Sequence, residues 1–248
     1  ADPESDESSK AASSVEFAEN VDLRNRLVRT LEAIERRFPE KKAMFSGKPT
    51  VSEAEFEMSD YDVELARQLF NKYESAVERE NELRSELNTL AQRQQELLPW
   101  RDIPLDLTVR ETELTEIIYG TLRDERSLRE LVAEINEEMA TATVFHLGST
   151  ESKSPLLAFV EMKEDAPHLR ARLAAYEFKA LPTQVLEGTA RRTLDKYAQQ
   201  EKSLEEEIER QVEQMKEVAD QRLKLMLYHD VLLVRADKES VDRELSNT

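Results

Sequence analysis

The clearest helical pattern in this 248-residue chain lies at residues 194–234, LDKYAQQEKSLEEEIERQVEQMKEVADQRLKLMLYHDVLLV. Apart from a gap at Glu201, its apolar side chains recur in alternating steps of three and four, the spacing of one face of an α-helix. They are Leu194, Tyr197, Leu204, Ile208, Val212, Met215, Ala219, Leu223 and Met226. The predicted helix covers 188–235 and is roughly 70 Å long at 1.5 Å per residue. Because this length exceeds the diameter of a small domain, the apolar stripe needs an equally long partner.

A second apolar stripe, at residues 59–99, meets this need. Leucine or alanine recurs there every seven residues, and Pro99 ends the helix. Glu80 and Gln94 interrupt the neighbouring row, so the seam is narrower than that of a strict dimeric coiled coil. Two helices of similar length, separated by one compact segment, are expected to pair as a long antiparallel helical hairpin, a coiled-coil-like arm. We predict that the arm packs on Leu69, Leu83, Leu90, Leu204, Ile208 and Met215.

The segment between the helices, residues 100–187, has a different pattern. Strand-like runs and amphipathic helices follow each other in the order β-α-β-β-α-β, at 113–122, 127–139, 141–147, 156–163, 165–176 and 178–185. This order matches a ferredoxin-like sandwich, in which two helices cover one face of a four-stranded sheet. Trp100 is expected to pack where the first long helix ends. The predicted fold class is therefore α+β, a helical hairpin capped by a ferredoxin-like βαββαβ lobe.

The N-terminal residues have weaker patterns. Residues 1–15 are polar and acidic without apolar periodicity, which predicts a disordered tail or a cloning remnant. Residues 16–58 are predicted to form an amphipathic helix that stops before Pro39, followed by a loop with Gly47 and Pro49.

The composition excludes several functional classes. The chain has 53 acidic and 35 basic side chains, a net charge of −18, which opposes binding to nucleic acid. It has no cysteine for disulfides or thiol catalysis, and its 4 glycines are too scattered for a phosphate-binding loop. No apolar run approaches the roughly 18 residues of a membrane-spanning helix, so we predict no span in this sequence.

The polar residues give no sign of an active site. The histidines show no metal-ligand spacing and are most simply surface or packing residues; they are His146, His168 and His229. The carboxylates, including Glu78, Glu80 and Glu82, are expected on the solvated faces of the long helices. We therefore expect no catalytic residue, no metal site and no cofactor.

One basic cluster is unusual in so acidic a chain. Arg123, Arg126 and Arg129 lie around the first helix of the lobe. Two interpretations remain open. The arginines form either a solvated surface with local ion pairs or a docking patch for an acidic helical partner.

Several short stretches resemble subunit I, also called subunit a, of V-type and A-type rotary ATPases. They are LLPWRDIPL at 97–105, YGT at 119–121, FKALPTQVLEGTARRTLDK at 178–196 and LYHDVLLVRADKESV at 227–241. The resemblance implies that 100–187 is the distal lobe and that 236–248 begins a truncated proximal region. It further implies that the membrane half of the subunit, with its ion pathway, is absent from this sequence.

The function that the resemblance implies is that of a stator. In this family, the cytoplasmic part of subunit I holds the peripheral stalks, made of subunits E and G, during rotary transport of protons or sodium ions. The chain would then be a non-catalytic part of the ATPase, with the E/G heterodimer and other ATPase subunits as partners. It would lie on the cytoplasmic side of the membrane, and the full-length protein would be multi-pass. In isolation we expect a monomer.

The alternative is a free-standing coiled-coil scaffold or a chaperone-like protein. Such a protein would dimerise through its long helices, whereas an intramolecular hairpin is monomeric. The oligomeric state therefore separates the two interpretations.

Overall fold

The computed structural model describes residues 3–40, 58–139, 141–182 and 187–246, and side chains within these ranges from residue 20 to residue 236. The elements are α1 (Pro3–Arg37), α2 (Asp60–Leu97), a 3-10 turn (Leu98–Trp100), β1 (Thr115–Thr121), α3 (Glu125–Glu138), β2 (Thr143–Ser149), β3 (Pro155–Met162), α4 (Ala166–Ala175), β4 (Lys179–Ala180), α5 (Ala190–Ala219) and α6 (Arg222–Ser246). The predicted mixture of helices and sheet is confirmed. The chain forms two compact units, a helical one (Ala1–Leu83 with Glu206–Thr248) and a mixed one (Arg84–Glu205).

The core of the helical unit takes side chains from four helices. Leu27 and Ile34 of α1 pack with Phe70 of α2, Met215 of α5 and Tyr228 of α6, and all five are fully buried. Helix α1 also runs close along α6. The stripe at 59–99 was expected to pack only against the stripe of the helix predicted at 188–235. In the helical unit, α1 also contributes to the core, together with α2, α5 and α6.

Helix α1 begins earlier than the sequence predicted. A disordered tail was expected over 1–15, but the structure has helix from Pro3. The difference has a local reason. Proline is favoured in the first turn of a helix, and no glycine or proline follows until Pro39. The loop predicted after Pro39 lies largely outside the described residues.

The predicted single helix over 188–235 is wrong, because the structure has a break between α5 and α6 at Asp220 and Gln221. At the break, the Gln221 N–H donates to Val218 O over 2.9 Å, a three-residue step, and the Arg222 side chain donates to Ala219 O over 3.0 Å. The carbonyl freed by the break is thus satisfied by a guanidinium. Beyond the break, α6 continues to Ser246, so most of the region predicted at 236–248 is helical.

The mixed unit contains a four-stranded antiparallel sheet in the order β2-β3-β1-β4. Strand β3 is buried on both faces. Leu157 and Phe159 pack with α3 and α4, whereas Leu156 and Ala158 belong to a second apolar cluster, which contains Trp100. Strand β4 has only two residues, shorter than the predicted 178–185, and residues 183–186 lie outside the described part.

Gly120 explains how closely β4 approaches β1. A Cβ atom at this position would overlap the backbone oxygen of Lys179 and the ring of Phe178. Only glycine therefore allows the two strands to pair here while Phe178 packs edge-on against Phe159, with ring centroids 5.4 Å apart.

Candidate functional site

The helix that carries the predicted docking patch, α3, is capped by Asp124. This carboxylate accepts the backbone N–H of Ser127 over 2.8 Å and its hydroxyl over 3.0 Å. Both bonds favour the ionised form, so they hold the pKa of Asp124 below its usual value. The cap fixes where α3 starts and therefore where its arginines lie.

All three arginines of the predicted patch are exposed; Arg126 and Arg129 lie in the N-terminal part of α3, and Arg123 lies just before its cap. Arg126 pairs along its own helix, since its Nε is 2.9 Å from Oε1 of Glu130. In the part of the chain that the structure describes, the side chains of Arg123 and Arg129 make no ion pair. The structure thus contains a local ion pair, as the interpretation of a solvated surface requires. The cations of Arg123 and Arg129 stay available to a partner, as the interpretation of a docking patch requires.

The C-terminal half of the same helix is acidic. Arg172 of α4 lies 2.5 Å from Glu138 and 3.9 Å from Glu134. The Tyr176 hydroxyl donates to Glu134 over 2.6 Å, and this bond raises the pKa of Tyr176 to about 12. The start of α3 therefore presents arginines among an equal number of carboxylates, and its end is acidic and bonded to Arg172 and Tyr176.

The residues predicted to pack the arm are apolar contacts inside the two units. Leu69, Leu83, Ile208 and Met215 are buried in the helical unit. In the mixed unit Leu90 is buried and Leu204 is partly buried against the same cluster, which also contains Trp100. Trp100 is 2% exposed, and its ring centroid lies 6.2 Å from that of Tyr119 in an edge-on arrangement. This burial is what we expected of a residue that packs where the first long helix ends.

The histidines lie apart from one another. His146 is on the edge strand β2, with Nε2 3.2 Å from Glu125; His168 is in the first turn of α4; and Nδ1 of His229 is 3.1 Å from Asp230. Among the residues described, no three His, Asp or Glu side chains come together as a metal site would require.

Two buried carboxylates were missed by the sequence analysis. Glu80, expected on the solvated face, is buried and accepts two N–H bonds of 2.7 Å from the Arg37 guanidinium. Glu161 of β3 is 1% exposed and accepts bonds from Thr141 and from the Met162 N–H. Glu80 was visible as a charge interrupting the apolar row, but its partner lies 43 residues away in sequence.

Comparison with known proteins gives a likeness of fold. No protein-family model and no curated protein sequence matches the chain. Among solved structures, the chain is similar to the cytoplasmic N-terminal domain of subunit I, homolog of subunit a, of V-ATPase. The two share 12% identity with a TM-score of 0.60, over 92% of this chain and 71% of the other.

The fold is therefore like that of the cytoplasmic N-terminal domain of V-ATPase subunit I. The family resemblance seen in the sequence is confirmed at the level of fold. No helix in the described ranges has the length and apolar content that a membrane crossing needs.

Proposed function

We propose that this chain is a non-catalytic stator part of a V-type or A-type rotary ATPase. The observation that carries the proposal is the shared fold over 92% of the chain. By the same likeness, the chain lies on the cytoplasmic side of a membrane, in a complex that transports protons or sodium ions. Its full-length subunit then carries several membrane helices, and its partners are other subunits of the ATPase.

We further propose that α2 and α5 pair as an antiparallel hairpin and that residues 100–187 form a ferredoxin-like lobe. Contacts within each unit support the pairing. In the helical unit, Lys72 Nζ is 2.7 Å from Glu217 Oε2. In the mixed unit, Gln94 Nε2 is 2.9 Å from Glu201 Oε2. The element order and the strand order β2-β3-β1-β4 support the name given to the lobe.

The proposed partner of the lobe is the heterodimer of stalk subunits E and G. Arg123 and Arg129 supply exposed cations, and Arg126 can exchange Glu130 for a carboxylate of the partner. In a chain of net charge −18, local cations are the natural complement of an acidic helix. Because exposed charges mainly set the encounter rate and register, the patch should act on association more than on dissociation.

A charge reversal tests this patch. We expect Arg126→Glu/Arg129→Glu to slow association with purified E–G heterodimer about tenfold at low salt and to weaken its salt dependence. The melting temperature should hardly change, because both side chains are exposed. The matched control is Arg101→Glu/Arg192→Glu, which makes the same change of charge at exposed positions of the same unit. If the two double variants associate at equal rates, the stalks do not use this patch.

A dimeric scaffold or chaperone-like protein remains the second candidate, and one feature of α6 favours it. Leu223, Met226, Leu233 and Val234 are between 39% and 46% exposed and recur on one helix at helical spacing. Light scattering separates the candidates, since the stator proposal expects the 28.7 kDa monomer in isolation. An obligate dimer with helices paired between chains would favour the scaffold.

A further inference from the structure

A groove of about 460 Å³ opens at the edge of the sheet, between β1, α4 and the residues around β4. Most of its walls are apolar, with side chains contributed by Ile118, Leu173, Phe178, Leu181 and Pro182. Three charged side chains line it, namely Arg110, Arg170 and Glu116, and Tyr119 belongs to the lining as well. The groove is separate from the arginine patch on α3.

Arg110 is the half-buried cation of this groove. Its guanidinium lies 4.8 Å from the centre of the Tyr119 ring. Nε donates to Leu107 O over 2.9 Å, and Nη2 donates to Leu181 O over 3.3 Å. These bonds use two of the five N–H groups, so three donors remain. Within the described residues Arg110 makes no ion pair with a carboxylate, and burial lowers its pKa.

The other two charged side chains neutralise each other. Arg170 of α4 pairs with Glu116 of β1 across the groove wall. Arg110 therefore carries the excess positive charge of the groove. A partly desolvated cation of this kind gains more from an anion than an exposed arginine does, because less water competes for its donors.

The backbone next to Arg110 offers a further donor. On the outer edge of β1, the Ile117 N–H donates to Arg110 O over 2.7 Å, and Tyr119 O accepts the Leu181 N–H over 2.8 Å. The Tyr119 N–H lies between these two bonds and has no backbone partner in the described part of the chain. Within the described residues, β1 and β4 pair at Gly120 with Ala180 and at Thr121 with Lys179.

We propose that this groove binds an acidic side chain of a partner polypeptide, whose carboxylate accepts N–H bonds from Arg110. The apolar walls select apolar residues next to that acid, and this is why a polypeptide fits better than a small free acid, which would leave the walls uncovered. The Tyr119 ring lies against the Arg110 guanidinium and holds it in place. The inference concerns a different surface from the stalk-docking patch and does not depend on the stator proposal.

A peptide array tests the proposal on the intact chain. The probes are capped pentapeptides with a central Glu, flanked by Ala, Leu, Val or Phe, and the same set with Gln at the centre. We expect the best Glu peptide to bind at least tenfold more tightly in solution than its Gln counterpart. In NMR spectra, this peptide should shift the Tyr119 amide and the Arg110 Nε–H signals.

Arg110→Gln should remove the preference for Glu, whereas Arg101→Gln, at an exposed position of the same unit, should keep it. Because Arg110→Gln could disturb the fold, the comparison of Glu and Gln peptides on the unaltered chain stands as an independent test. Equal affinity for the two peptides would overturn the proposal. It would also be overturned if acetate or inorganic phosphate, at the same concentration, shifted the same signals with the same affinity.

Discussion

The ion pair between Arg37 and Glu80 joins α1 to α2 inside the helical unit, and its removal should be costly. The Glu80 side chain is 4% exposed, while that of Arg37 is 35% exposed. Exposed pairs contribute about 0–1 kcal/mol, and breaking a fully buried pair costs about 3–5 kcal/mol. Because one partner is buried and the other partly hydrated, we expect Arg37→Met to lower the free energy of unfolding by about 2–3 kcal/mol. Methionine keeps most of the aliphatic stem, so the loss reports the charge rather than the packing.

Urea unfolding followed by circular dichroism measures this effect. The control is Arg36→Met, since Arg36 is exposed on the same turn and, among the residues that the structure describes, its side chain donates to the Glu32 backbone oxygen alone. We expect the control to change the free energy of unfolding by less than about 0.5 kcal/mol. Replacing both partners, in Arg37→Met/Glu80→Met, should be far less costly than Arg37→Met, because no buried charge is left behind. If Arg37→Met costs no more than Arg36→Met, or if the double variant is the least stable, the reasoning is wrong.

Three further predictions concern packing and capping. Leu83→Ala should cost about 2–5 kcal/mol in urea unfolding, because Leu83 is 1% exposed, whereas Glu82→Ala on the exposed face should cost little; equal costs would show that the stripe is misassigned. Gly120→Ala should lower the melting temperature of the mixed unit, at a cost of about 1–3 kcal/mol, since the added Cβ meets backbone; an unchanged melting temperature would contradict the close approach of β4. The pKa of Asp124 is lower in the folded state than in the unfolded chain. The ionised cap therefore stabilises α3 above the unfolded carboxyl pKa, and this stabilisation is lost as the pH falls through the folded pKa. In Asp124→Ala, the free energy of unfolding should accordingly fall less steeply as the pH is lowered in the acid range.

Strands β1, β2 and β3 were predictable because they have strong local patterns. The run LLAFV at 156–160 is continuously apolar, and β3 proves to be buried on both faces. The Asp124 cap and the apolar face of α3 follow the same local rules. The pairing of Arg126 with Glu130 could also be predicted, because the two are four residues apart on one helix.

What the sequence did not reveal depends on contacts between distant residues. The break at Asp220 has no glycine or proline to mark it, and Arg222, which satisfies the freed carbonyl, also lies 3.3 Å from Glu35 and 3.1 Å from Glu40. Glu80 is buried and bonded to Arg37, which reaches it from another helix. Arg110 has no pattern around it, so its half-buried position is known only from the folded sheet edge.

The stator proposal is tested most directly by mixing the chain with purified E–G heterodimer and measuring the mass of the complex by light scattering during size-exclusion chromatography. The proposal predicts that the chain alone elutes as a monomer and that the mixture forms a complex of one chain with one heterodimer. A chain that elutes as a dimer and forms no complex with the heterodimer at micromolar concentration would contradict it.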